Sequence, residues 1–257
     1  MSIAVDNRGT ATTAFVSGTE TFAHTVAGSD RLLVVQSVII ASASDRVTGI
    51  TYNGVSMTDL GHQPMASSRA QSTTYYSLPS NSVSTQPSTG TNNVVISKVG
   101  STSADRTGSC AGSYTGVDSS DPLGDFQTTA TFGTGSPADI SVSVNPDLSN
   151  SWIIGMASSA GGALTISGSS VTTTQYQATY AGNSAAMSDT NGTVTTGSKS
   201  VIYTISDQWK IDAGLVIQEL APTSSIKSMA GVVQASMKSV AGVVNASIKS
   251  IAGVANS

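Results

Sequence analysis

Charge is the scarcest property of this chain. Only 10% of its 257 residues are Asp, Glu, Lys or Arg, well under the roughly 25% of an ordinary soluble protein. The 11 cations and 15 acids leave a net charge of −4, so no basic patch exists to neutralise phosphates, and no nucleic-acid partner is expected. Glutamate occurs only as Glu20 and Glu219, and histidine only as His24 and His62. A paired-carboxylate glycosidase would therefore have to use aspartates, and general-base chemistry would have two separated histidines with no motif around either. The lone Cys110 cannot close an intrachain disulfide and reads as a small buried hydrophobe between Ser109 and Ala111. Long apolar runs are also missing. The best, Leu32 to Ala41, is broken by Gln36 and Ser37, far short of the ~18 apolar residues of a membrane span. Asp6, Asn7 and Arg8 interrupt the N-terminus before an export signal could form. The expectation is a protein made in a cytoplasm, with no membrane partner.

What remains is polar and small, yet apolar segments recur throughout, which argues against disorder. Thr21 to Val26 alternates with a period of two, as half-buried strands do. Leu32 to Ile40 is the most apolar segment and predicts a central strand covered on both faces. Asn53-Gly54, between Ile50-Thr51-Tyr52 and Val55-Ser56-Met57, predicts a hairpin, because both turn residues tolerate positive φ. Further strands are expected at Ser72 to Leu78, Asn93 to Ser97, Cys110 to Tyr114, Phe126 to Phe132, Ile140 to Val144, Trp152 to Met156, Val201 to Ile205 and Ala213 to Leu220. About a dozen short strands without an amphipathic helix predict an all-β body, residues 1–221, folded as a two-sheet antiparallel β-sandwich of jelly-roll type.

Residues 222–257 are different. From Ser225 the chain reads SIKSMAGVVQA, SMKSVAGVVNA, SIKSIAGVANS, an 11-residue unit repeated three times without insertion. Apolar residues recur at Ile226, Met237 and Ile248, at Met229, Val240 and Ile251, and at Val233 and Val244. Such a face cannot be buried by one short repeat alone, so it predicts oligomerisation or attachment through those eight residues. Two structures fit. An 11-residue period averages ~3.67 residues per turn and would give a right-handed coiled coil. The rival is stacked β-structure with Ala-Gly at the turns, favoured by Gly231, Gly242 and Gly253, each costing a helix about 1 kcal/mol. A membrane-surface helix is set aside, because Lys227, Lys238 and Lys249 have no Trp or Phe beside them in the tail.

No nucleophile elbow, zinc-ligand cluster or phosphate loop is present. Asp118, Asp121 and Asp125 lie close together, but their spacing is that of turn chemistry rather than a calcium loop. Arg8, Arg31, Arg46, Arg69 and Arg106 are scattered and read as solvated. No catalytic residue, metal or cofactor is expected. A glycan-binding sandwich would need exposed aromatic platforms. Trp152 reads as core, which leaves Trp209, then Tyr75 and Tyr76, as the candidates.

The series Arg31-Leu32-Leu33-Val34-Val35, Val47 to Val55, Tyr76-Ser77-Leu78-Pro79 and Tyr114-Thr115-Gly116-Val117-Asp118 resembles a β-sandwich module of tailed-phage virion and prophage proteins, over roughly residues 20 to 220. The tail is similar to short IKS-x-x-GVA arrays of phage structural proteins. The resemblance implies a non-enzymatic virion protein, a capsid decoration, head fibre or tail fibre. Its partners would be itself, with a trimer favoured, and capsid or tail proteins of the particle. The alternative is an adhesion module that binds a glycan or receptor through sandwich loops.

Overall fold

The computed structural model describes residues 2–13, 18–40, 45–65, 71–99, 106–132, 138–160, 164–166, 174–180, 183–205 and 209–219, with four two-residue pieces of the tail. The chain divides into two compact units, Met1–Leu220 and Ala221–Ser257. Among the described residues the regular structure is all strand, and every pairing is antiparallel.

The first half of the body contributes β1 (Ala4–Thr13), β2 (Thr19–Val26), β3 (Leu32–Ile40), β4 (Val47–Tyr52), β5 (Val55–Ser56), β6 (Thr58–Met65), β7 (Gln71–Leu78), β8 (Gly90–Lys98) and β9 (Arg106–Thr115). They form a five-stranded sheet, β1-β9-β3-β7-β6, and a four-stranded sheet, β2-β8-β4-β5. All nine residues of β3 and all eight of β7 are buried, as strands covered on both faces must be. In contrast β2 alternates: Thr21, Ala23 and Thr25 are exposed while His24 and Val26 are buried, the pattern of an outer sheet with one wet face. Asn53 at φ 49° and Gly54 at φ 77° make the expected two-residue turn, joining Tyr52 to Val55. The edge strand β6 carries Asp59, Pro64 and a register shift between Asp59 and Gly61, features that block pairing with a further strand.

The second half contributes β10 (Leu123–Phe132), β11 (Ala138–Val144), β12 (Trp152–Ser159), β13 (Leu164–Ile166), β14 (Thr174–Tyr180), β15 (Asn183–Asp189), β16 (Lys199–Ile205) and β17 (Trp209–Ile217). These make a five-stranded sheet, β10-β17-β12-β15-β14, and a three-stranded sheet, β11-β16-β13. Every residue of β12 is buried.

Three apolar clusters lie between four stacked sheets. Leu33, Val35 and Tyr76 of the first five-stranded sheet meet Ile50, Val94 and Ile96 of the four-stranded one. On its other face Leu32, Val34 and Tyr114 meet Trp152, Ile154 and Leu215 of the second five-stranded sheet. That sheet's far face, with Ile153 and Val216, meets Val142, Val201 and Tyr203 of the three-stranded sheet. Each such side chain contributes on the order of 1.5–3 kcal/mol. The body is thus two sandwiches back to back, where the sequence predicts one. The physical reason lies in β3 and β12: both are apolar on two faces, and a single two-sheet sandwich would leave one face of each in water. Cys110 and Trp152 are core residues of the central layer, as expected, with the Trp152 ring edge-on to Tyr114 at 6.5 Å.

In the tail, β18 (Ser239–Val240) pairs with β19 (Val243–Val244), and β20 (Ser250–Ile251) with β21 (Val254–Ala255). Ala241-Gly242 and Ala252-Gly253 separate the paired residues in the sequence.

Candidate functional site

Of the tail residues expected to carry self-association, Val240, Val244 and Ile251 fall on the short paired strands, and only their backbone is described. Ile226, Met229, Val233, Met237 and Ile248 lie outside the described residues. The array is therefore placed by its sequence: every acid of the chain precedes Leu220, whereas the tail has three lysines and no acid. Subtracting those lysines from the 11 cations leaves 8 against 15 acids in the body, so the body is −7 and the tail +3.

The aromatic candidates divide. Tyr75 and Tyr76 are 0% and 4% exposed, so neither offers a ring face to a sugar, and the expectation that they do is corrected. They occupy a strand covered on both faces: Tyr75 packs edge-on to Phe126 at 5.4 Å, and Tyr76 joins the core of the first sandwich. Trp209 begins β17, paired with Phe132, and its side chain lies outside the described residues.

The histidines do not build a catalytic centre. His24 is 2% exposed. Ser113 Oγ donates to Asp6 Oδ2 at 2.9 Å, so His24 Nε2–H is left to donate to Ser113 Oγ at 3.2 Å. The chain of donors runs from histidine through serine to aspartate, which aims the serine proton away from the imidazole. A general base would need the reverse. His24 Nδ1 has no partner and faces Gly9, where a Cβ would stand 2.9 Å away. Burial pulls the imidazole down to about 4, against a smaller upward pull from Asp6, so the ring is neutral at physiological pH. His62 lies in edge strand β6, and its buried Nε2 has no partner.

Aspartates 118, 121 and 125 make turn chemistry, as their spacing suggests. Asp118 Oδ1 accepts from Ser120 N, Ser120 Oγ and Asp121 N at 2.9, 2.6 and 3.3 Å. Burial opposes ionisation of this carboxyl, but those hydrogen bonds outweigh it and hold it below its usual value. Asp125 accepts from Gln127 Nε2 and Asn145 N. Among the described residues no group of His, Cys, Asp or Glu could hold a metal ion.

Three polar arrangements escape a sequence reading. Lys98 Nζ and Glu20 Oε2 meet at 3.4 Å inside the first sandwich, with side chains 1% and 0% exposed, and Ser109 Oγ donates to the other carboxylate oxygen. Arg8, expected to be solvated, forks the buried Asp189 with contacts of 2.8 to 2.9 Å. Burial pushes the Asp189 carboxyl up, and Arg8, Asn191 N–H and Tyr114 only partly offset it. Arg31 is likewise engaged, with Nε on Pro87 O at 2.7 Å and a second nitrogen on Gly28 O at 2.8 Å. The partners of the first two pairs stand 78 and 181 residues apart. The only local signal is a charged residue at an inward-facing strand position.

Two surface depressions are lined by described residues. A cleft of about 380 Å³ has Leu60, Leu123, Phe126 and Leu215 among its lining, beside the exposed Asn81 and Ser82. A polar groove of about 370 Å³ lies along Asn53, Thr91, Asn92 and Asn93. Neither contains an ionisable group. No family model matches this sequence, and no curated protein matches it.

Proposed function

We propose that the protein is a non-enzymatic structural component of a phage particle, a decoration or fibre protein, assembled through its C-terminal repeats. The observation that carries this reading is the uninterrupted 11-residue array that follows a body ending as a separate compact unit at Leu220. Repeats of this kind gain stability by stacking on neighbours, and among the described residues the second and third each contain a strand pair flanking Ala-Gly. The engagement of His24, Asp118 and Asp125 in structural hydrogen bonds supports a body built for rigidity. The virion assignment itself rests on the motif resemblance over the body and tail.

The test is light-scattering mass after size exclusion, on the full chain and on a chain ending at Leu220. An oligomeric full chain with a monomeric, folded truncation assigns assembly to the tail. Circular dichroism of the difference then decides between a coil and stacked β. If both chains have the same oligomeric state, the tail does not drive assembly. If the full chain is monomeric and does not bind purified capsids or tails, the virion reading fails.

A further inference from the structure

We infer that the body is a fused two-fold dimer: one sandwich module present twice in tandem, whose five-stranded sheet has an outer face shaped to pack on a second copy of the same module. The first observation is topological. Among the described residues, and without the two-residue β5, each half has eight strands, and numbering them from its own start makes the two halves coincide. The five-stranded sheets β1-β9-β3-β7-β6 and β10-β17-β12-β15-β14 both read first, eighth, third, sixth, fifth. The outer sheets β2-β8-β4 and β11-β16-β13 both read second, seventh, fourth. Local details repeat as well. The first strand of each half shifts register against the last, between Val5 and Asn7 and between Leu123 and Phe126. The third strand of each is buried along its whole length.

The second observation is the way the halves meet. If two copies pack face to face about a two-fold axis parallel to the strands, the first strand of each must lie across the fifth of the other. That is the arrangement: β1 lies against β14, and β10 against β6. At the β6–β10 seam Thr128 Oγ1 donates to Gln63 Oε1 at 2.7 Å, and Gly61, at φ 149°, leaves room for the Phe126 ring.

The clasps across the seams are paired too. Asn81, just beyond the sixth strand of the first half, donates to Leu123 O at 2.8 Å and accepts from Leu123 N at 3.0 Å. Asp189, at the end of the sixth strand of the second half, takes the Arg8 fork. Each copy therefore reaches from the same place in its fold to the other's first strand. This is the logic of an isologous dimer interface, in which one patch meets its own counterpart. The side chains have diverged, amide-to-backbone on one side and ion pair on the other, while the geometry is retained. The kind of partner this face fits is a second copy of the module, already supplied in the same chain.

The inference is independent of the virion reading and is tested on the full chain, with a specific protease site placed between Ser119 and Ser120. After cutting, the two pieces should co-elute 1:1 at the mass of the uncut protein, separate in denaturant, and re-form the 1:1 complex when it is removed. Two folded pieces that separate in native buffer would overturn the inference, because a dimer-type interface holds without a covalent link. It would equally be overturned if one piece stayed folded while the other unfolded, since equivalent modules must behave alike. Should the inserted site itself prevent folding, hydrogen exchange on the unmodified chain decides. Strands β3 and β12 should be among the slowest to exchange, within about tenfold of each other. Exchange of one at loop-like rates, with the other protected, would contradict the equivalence.

Discussion

The two sandwiches share a strand plan but differ in how each interior treats a buried carboxyl. The first encloses charge and pairs it. Glu20 sits against Lys98 and Ser109, and Asp6, Ser113 and His24 form a hydrogen-bonded chain. The second encloses a carboxyl, Asp212, whose pKa no cation offsets. Asp212 is 0% exposed, and neither of its oxygens closes a hydrogen bond. Burial drives its pKa well above the usual carboxylate value, and the nearby N–H groups of Ala213 and Val142 only partly offset this. Ser188 and Tyr203 of the second sandwich are bonded to each other at 2.6 Å. Gly155 is required beside them, because a Cβ there would stand 2.8 Å from Ser188 Oγ and 2.7 Å from Val201. One fold plan thus tolerates buried charge either by pairing it or by neutralising it, and the two solutions respond differently to mutation and pH.

Removing one partner of the paired solution should have the largest effect. Lys98→Ala leaves Glu20 uncompensated in the core and is expected to lose about 3–5 kcal/mol in urea unfolding. The double change Lys98→Met with Glu20→Gln should recover most of that. Equal loss in single and double variants would mean that the pair contributes only packing.

The His24 chain predicts an acid limb. Its native pKa, about 4, lies below the ordinary imidazole value of 6.5. Between those values the unfolded chain binds a proton that the native one does not. Stability is therefore intact above pH 6.5 and falls on acidification by about 3 kcal/mol as pH approaches 4, with no further loss from this group below that. Following the imidazole by NMR while unfolding is measured from pH 7 to 4 checks this. A His24 that titrates near its ordinary value would remove the limb.

For the unpaired solution the sign is reversed. A carboxyl with a raised native pKa keeps its proton where the unfolded chain has lost it, so its contribution is complete below about 3.8 and declines as pH rises above that value. Asp212→Asn removes the ionisation and should raise stability at pH 7, with little change at pH 3. A loss at both pH values would show that the carboxyl makes a contact an amide cannot replace. The smallest expected effect is at the Asn53-Gly54 turn, outside either interior. Gly54→Ala forces a side chain onto φ 77° and should cost about 1 kcal/mol, visible as a small fall in urea midpoint with the slope unchanged.

Local sequence determined the strands that carry a period or a run. The alternation of β2, the unbroken apolarity of β3, the Asn53-Gly54 turn and the core positions of Cys110 and Trp152 were all legible, because each depends on neighbours within a few residues. Strand β1 was not. Its Asp6, Asn7, Arg8 and Gly9 look like a loop, and they form a strand because β9 offers a ladder, because Ser113 and Asp189 bond the Asp6 and Arg8 side chains, and because Gly9 leaves His24 its space. Edge strand β6, with its Asp59, Gly61 and Pro64, was hidden for the same reason. The 11-residue period of the tail was readable at sight, whereas Tyr75 and Tyr76 passed for surface aromatics because neither residue records that sheets cover both faces of β7. Composition and periodicity thus set the strand content and the division into body and tail. Tertiary structure alone decided that the strands make two sandwiches and that half-buried Arg8 and buried Glu20 and Lys98 find partners, since those choices depend on contacts between residues far apart in the chain.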